Sequence, residues 1–362
     1  MKKSTLALAV AAALATSAAV ADTTLYGSAR VSIDYEQIEG VSSAWDVRNN
    51  SSRLGVRGEE DLGGGLSAIY QYEFGVDMTE GGNFESNRPK WLGLKGSNWG
   101  SVTLGTQWTS YYNVAGVADI FNSNRSFAAA TGYLGGPGRG PLGTSFASGQ
   151  RMDNTVIYMS PNFSGFSAEA TLVMNGTSNS GAVPDTSDGV DLWQIAGKYN
   201  NGPFYAGAVY AQLQNSDLVT DDDFRQWALV GAWQPGPFTV GLLYEQGDLN
   251  PISLSLLSTG FERLDVDDTM NFMLFGSYNL GPHTLRAAYS WMELDGNYFD
   301  VERDRRRSFS ETQNLLLGYQ YNLSKRTRLW AEYLGRWDDN EGILLAIPND
   351  QNVVSVGMRH DF

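Results

Sequence analysis

A chain of 362 residues with 25 basic and 40 acidic side chains, a net charge of −15 and no cysteine excludes several classes at once. Nucleic-acid binding would need a basic surface to meet phosphates, and without cysteine neither a disulfide framework nor a thiolate site can form. With 41 glycines, 18 tyrosines and 10 tryptophans but only 42% hydrophobic residues, the composition suits strands that have one face in lipid and the other in water.

In chain order, the first element is a leader. Lys2 and Lys3 precede an apolar run from Leu6 to Val20, and Ala19-Val20-Ala21 has the small-x-small pattern that a signal peptidase requires. Residues 1–21 are therefore expected to be a cleaved signal peptide and 22–362 a single mature unit. After the leader no run of eighteen apolar residues occurs, which excludes helical membrane spans.

A strand of period two is predicted from Thr24 to about Glu39, with Leu25, Ala29, Val31, Ile33 and Tyr35 alternating with Ser28, Arg30, Ser32 and Asp34. Seven tight-turn signals follow: Asp61 to Gly65, Gly96 to Gly100, Ser160 to Gly165, Asn200 to Pro203, Gln234 to Pro237, Asn279 to Pro282 and Asn322 to Lys325. Their Gly, Asn and Pro residues supply the backbone geometries of tight hairpins. Each is flanked by strand-like runs, although Phe272 to Phe275 is apolar on both faces. With a closing strand from about Asn352 to Phe362, the count is sixteen strands. Longer polar segments fall near 40–46, 78–86, 110–152, 175–190, 214–223, 248–268, 295–309 and 338–351. Seven short turns on one side and eight long loops on the other give the asymmetry of a transmembrane barrel.

Such a sheet has to close, because lipid offers no partner to an open strand edge. Aromatic residues beside the turns (Trp99, Phe163, Phe166, Tyr199, Tyr205, Trp233, Phe238, Tyr278 and Tyr321) fit an interfacial girdle. Sixteen strands enclose more space than side chains fill, so the expected fold is an all-β, antiparallel barrel around an aqueous channel.

Several segments resemble the trimeric Gram-negative general diffusion porins: Leu25 to Arg30, Ser52 to Leu66 with Gln71 to Phe74, Trp91 to Gly96 with Gly100 to Gly105, and the ending Gly357 to Phe362. The resemblance implies an outer-membrane channel for passive diffusion of small hydrophilic solutes, no enzymatic activity and no cofactor. It also implies a homotrimer among outer-membrane lipids and lipopolysaccharide, with Phe362 read by the barrel-assembly machinery. The third long loop, about Tyr111 to Gln150, would fold into the lumen, although the family's Pro-Glu-Phe-Gly element is missing and Val117 to Phe121 is the nearest acidic-aromatic stretch.

Selectivity in such pores comes from facing clusters of charge. Arg53 and Arg88 match family constriction positions. Alternation alone turns Arg30 and Arg57 inward, and, with Trp91 and Gly93 pointing out, it turns Lys90 inward as well. Asp119 is the candidate loop acid. Each arginine also has a plainer reading as a solvated lumen residue. Acidic runs at Asp221 to Asp223 and at Asp265, Asp267 and Asp268 suit calcium by chemistry but lack the spacing of a calcium loop. The alternatives are a substrate-selective porin for sugars, phosphate or organic anions, with Tyr111, Tyr112 and Tyr133 as stacking platforms, or a barrel serving adhesion or reception. Only His283 and His360 could act as histidine bases, and neither has a neighbouring serine and acid.

Overall fold

The computed structural model describes residues 22–40, 42–82, 84–85, 88–123, 151–174, 189–214, 224–248, 264–300, 305–308, 311–338 and 350–362. The leader, Tyr133 and Asp221 to Asp223 lie outside them. One antiparallel sheet of nineteen segments makes sixteen spans, because three spans are interrupted. They are β1 (Asp22–Ile38), β2 (Ser42–Asn49 continued by Arg53–Gly63), β3 (Leu66–Val76), β4 (Phe84–Glu85 continued by Lys90–Gly96), β5 (Gly100–Trp108) and β6 (Arg151–Met159). Then come β7 (Phe166–Val173), β8 (Leu192–Asn201), β9 (Phe204–Leu213), β10 (Phe224–Trp233) and β11 (Phe238–Asp248). The last are β12 (Leu264–Leu280), β13 (His283–Asp300), β14 (Arg305–Ser308 continued by Glu311–Asn322), β15 (Thr327–Asp338) and β16 (Gln351–Asp361).

Each span pairs with its sequence neighbour, and β1 pairs with β16 over eleven residue pairs, from Ser28 opposite Asp361 to Ile38 opposite Gln351. The cylinder is closed. Gly27 N donates to Phe362 O at 2.9 Å and Phe362 N donates to Gly27 O at 3.1 Å, which extends the seam past the last paired strand residue. A Cβ at position 27 would lie 2.3 Å from the Phe362 ring, so the ring covers a place where only glycine fits.

All seven turns fall where their residues predict. In the first, Gly63, Gly64 and Gly65 all take positive φ (+86°, +63° and +78°), a region other residues enter at a cost. Four of the expected loops are instead partly strand, the one near 78–86 through Phe84–Glu85, which pairs with Gly75 and Val76. Residues 42–49 pair with β1 from Ile38 opposite Ser42. β12 carries Asp265, Asp267 and Asp268 and reaches Asp268 opposite Asp248, and β13 runs on to Asp300, opposite Arg305. Polar composition gave those segments the look of loops, but their backbones continue the ladder.

Alternation sorts the wall. Leu25, Ile33, Leu92, Leu104, Ile195, Leu229, Leu285 and Val356 are exposed outward, while Ser28, Ser32, Glu73, Thr171, Gln194, Asn314 and Glu332 are buried inside. At the turn end, exposed Trp99, Phe163, Phe166, Trp233, Phe238 and Tyr321 line the outer wall, with Phe238 stacked on Tyr278 at 4.4 Å. Tyr205 departs from that girdle: it faces inward, opposite Ala232, and its hydroxyl donates to Val114 O at 2.9 Å. A second aromatic row at the long-loop end includes Trp193 with Tyr210 and Trp227 with Tyr244. The doubly apolar stretch of β12 also resolves: Phe272 and Leu274 face out, and Met273 and Phe275 are buried inside.

The seam supplies the first test. Gly27→Val is expected to destabilise the refolded barrel by about 1–3 kcal/mol through overpacking against Phe362, read as a lower urea midpoint with an unchanged slope.

Candidate functional site

The buried apolar core of this protein sits inside the barrel, between the inner wall and the chain that leaves β5. That chain forms helix α1 (Ser110–Ala115) and one 3-10 turn (Gly116–Ala118). Tyr111, Val114, Ala115 and Ala118 are buried against Val173, Leu192, Val209, Val230, Leu243 and Met273 of the wall. Hydrogen bonds fix the same stretch. Ser110 N donates to Thr171 Oγ1 at 3.1 Å, Tyr111 N to Gln194 Oε1 at 2.9 Å, and Asn113 Nδ2 to Glu169 Oε2 at 2.9 Å. Tyr111 Oη donates to Glu245 Oε1 at 3.0 Å. The chain then reaches β15, where the Glu332 carboxylate accepts Asn122 N at 2.7 Å and Ser123 N at 2.8 Å. The described start of the third long loop, residues 110–123, therefore runs along the inner wall from β7 to β15.

Tyr111 is thus fully buried, and Tyr112 is committed to the protein. The Tyr112 ring stacks on Trp108 at 4.1 Å, and its hydroxyl donates to Asp119 Oδ2 at 3.0 Å. Neither ring is left as a free platform for a sugar.

The basic candidates divide by register. Arg30 lies opposite Arg359 on β16, and Arg359 lies opposite Arg328 on β15. The three occupy one row of the inner wall. Arg53, opposite Ser28, stands beside that row. Its Nε is 3.8 Å from Glu73 Oε2, and Arg88 Nη1 is 3.7 Å from Glu73 Oε1. Glu73 thus ties Arg53 and Arg88 together on the lumen side. Arg57 faces in over the Tyr26 ring at 5.2 Å but lies nearer the turn end, opposite Thr24.

Lys90 is a correction. It pairs with Tyr72, and Leu92 pairs with Tyr70; Tyr72 and Leu92 are exposed on the outer wall. Side chains directly opposite one another share a face, so Lys90 points out, with Nζ 4.9 Å from the ring of outward-facing Phe74. The misassignment came from treating Trp91 and Gly93 as lipid-facing. They face in: a Cβ on Gly93 would lie 2.6 Å from a methyl of the buried, inward Thr103.

The electrostatic cluster is wider than the sequence candidates. Arg328 Nη2 lies 2.6 Å from Asp361 Oδ2, and Arg359 Nε donates to Asp361 Oδ1 at 2.8 Å. Arg151 sits over the Trp108 ring at 4.5 Å, and Arg286 Nη2 donates to Gln320 Oε1 at 2.8 Å. Alternation carried the signal for Arg328 and Arg359, which are out of phase with the lipid-facing Leu329 and Met358. Facing the arginines, Asp119 feels Arg30 and Arg53. Crowding by the surrounding protein pushes its carboxyl up, to about 6, against the opposing pull of the Tyr112 hydroxyl and of Arg30. The side chain opens to lumen water, which limits that desolvation, so it is ionised at neutral pH.

The tether on β15 supplies the second test. Glu332→Ala strips the acceptors from the amides of Asn122 and Ser123, at about 1–3 kcal/mol for each buried donor left unbonded. A lower unfolding midpoint together with noisier open-channel current is expected; a quiet channel of unchanged stability contradicts the tether.

Comparisons with known proteins agree with this geometry. The Gram-negative porin family matches residues 6–341. Outer membrane porin protein 32 of Delftia acidovorans is 29% identical over 396 residues, covering 100% of both chains. The anion-selective porin from Comamonas acidovorans superposes with a TM-score of 0.68 at 24% identity, covering 94% of this chain and 100% of that one. The trimer form of OmpT from Vibrio cholerae gives 0.62 at 16% identity, covering 94% and 99%. A closed hollow cylinder, an infolded loop and a match across nearly the whole sequence place this chain in the Gram-negative porin family, as a channel of the outer membrane.

Proposed function

We propose that this porin passes small hydrophilic solutes by diffusion and favours anions where its lumen is narrowed. The observation that carries this reading is the row Arg328–Arg359–Arg30, with Arg53 beside it, on the wall that Asp119 faces. The net charge of −15 points the other way, and within the row Asp361 offsets part of the charge of Arg328 and Arg359 while Glu73 offsets part of that of Arg53 and Arg88, leaving Arg30 without a carboxylate of its own in these pairings. At physiological salt, exposed charges beyond about 8 Å are largely screened, so groups lining the narrow passage govern an ion in transit. Among the similar structures, one is titled an anion-selective porin, which supports the same sign. Diffusion is favoured over a sugar-binding channel because Tyr111 and Tyr112 are engaged by the protein itself.

Four features follow the family reading. Lys90 on the outer wall would be costly in lipid, and a neighbouring copy covering β4 would shield it; assembly as a homotrimer is consistent with that and with the trimer form of the Vibrio cholerae protein. Lipopolysaccharide against the outer wall and recognition of Phe362 during barrel assembly belong to the same reading. So does removal of residues 1–21.

Reversal potential in a salt gradient tests selectivity. The wild type is expected to favour chloride over potassium, and Arg30→Ala with Arg359→Ala to move the potential toward the cation side. A cation-preferring wild type, or no movement in the variant, contradicts the proposal. Added sugars are expected to leave an ohmic current unblocked; saturable block would support a binding site instead.

pH gives a second handle with a definite sign. Lowering pH through about 6 neutralises Asp119 and leaves the arginines charged, so anion preference is expected to rise between pH 8 and pH 5. Asp119→Asn is expected to remove that step.

A further inference from the structure

We propose that Tyr112 is a specificity-positioning residue, which holds the Asp119 carboxylate toward the arginine wall and thereby sets how much of the wall's positive field an ion feels. The inference deepens the anion-selective reading above and rests on it.

Tyr112 is constrained from three directions. Its ring lies flat on Trp108, with 4.1 Å between centroids and 20° between planes, and the Arg151 guanidinium also stands over the Trp108 ring. Its backbone belongs to α1, which is pinned to the wall on either side by the bonds of Tyr111 and Asn113. Room for the ring comes from Gly116, one helical turn on, where a Cβ would approach the Tyr112 ring to 3.2 Å. The hydroxyl then donates to Asp119 Oδ2 at 3.0 Å. Asp119 lies just beyond the 3-10 turn, and its side chain is open to water. A water-exposed carboxylate with free torsions spreads over several rotamers, and a hydrogen bond from a fixed phenol selects among them.

The charged groups acting on Asp119 are Arg30 on β1, Arg53 on β2 and Glu332 on β15, besides Tyr112. Those on the strands are fixed by the sheet. Tyr112 is the contact among them that can be altered by one atom without touching the barrel.

The experiment is a double-mutant cycle of Tyr112→Phe and Asp119→Asn, with reversal potential measured from pH 8 to pH 5. Phenylalanine keeps the stack on Trp108 and removes only the donor. In the wild-type background Tyr112→Phe is expected to shift the potential toward anions, in the direction of Asp119→Asn. It should also move the midpoint of the pH step upward by about half to one unit, because a bond that favours the ionised form is lost. In the Asp119→Asn background it is expected to change nothing. Equal shifts in both backgrounds, or an unmoved midpoint, would overturn the positioning role. If Asp119→Asn alone leaves selectivity and its pH dependence untouched, it is the underlying reading of Asp119 that fails.

Discussion

Every backbone N–H and C=O that crosses lipid has to find its partner within the protein, since each one left bare costs several kcal/mol. For a chain without a long apolar run, a sheet that joins its own edges meets that demand, and the pairing of β1 with β16 does so here. The rest follows from that closure. Period-two alternation then fixes an apolar exterior and a polar interior, and sixteen strands make a cylinder too wide for side chains to fill.

A hollow cylinder of that width has no selectivity of its own. The chain between β5 and β6 brings an apolar helix inside, against a wall whose side chains match it. Along β7 to β12 the inner face changes from polar to apolar, with Val173, Leu192, Val209, Val230, Leu243 and Met273 buried under α1. Carboxylates at Glu169, Glu245 and Glu332 accept hydrogen bonds from the loop. Opposite lies the arginine row of β15, β16, β1 and β2.

Sequence alone revealed the architecture because turn chemistry and alternation are local. Seven glycine-, asparagine- and proline-rich turns set the strand number, and alternation placed Arg30, Arg53 and Arg57 on the inner face. It placed Lys90 on the wrong face for a physical reason: β4 is interrupted before Lys90, and the large Trp91 looks like a lipid-facing residue although it points into the lumen. Tyr205 misled in the same way, since an aromatic beside a turn reads as girdle whichever face it occupies. The partners of Asp119 and the grip of Glu332 on Asn122 were beyond reach, because those contacts join residues as much as 210 positions apart and no periodicity reports them. The segment near 40–46 read as loop because its serines and charged residues masked a short strand, whose outward Trp45 and Val47 pair with Tyr35 and Ile33 of β1.

The seam also bears on how the molecule comes to exist. Ser28 and Asp361 are paired across the barrel yet stand more than three hundred residues apart along the chain, so this one seam depends on a loop closure that no hairpin of the meander requires. Until those two segments meet, the sheet has two bare edges and a greasy outer face with no lipid around it, the combination that drives strands of separate chains to join one another. Joining Gly27 to Phe362 and Ser28 to Asp361 is thus the step that removes both exposed margins at once.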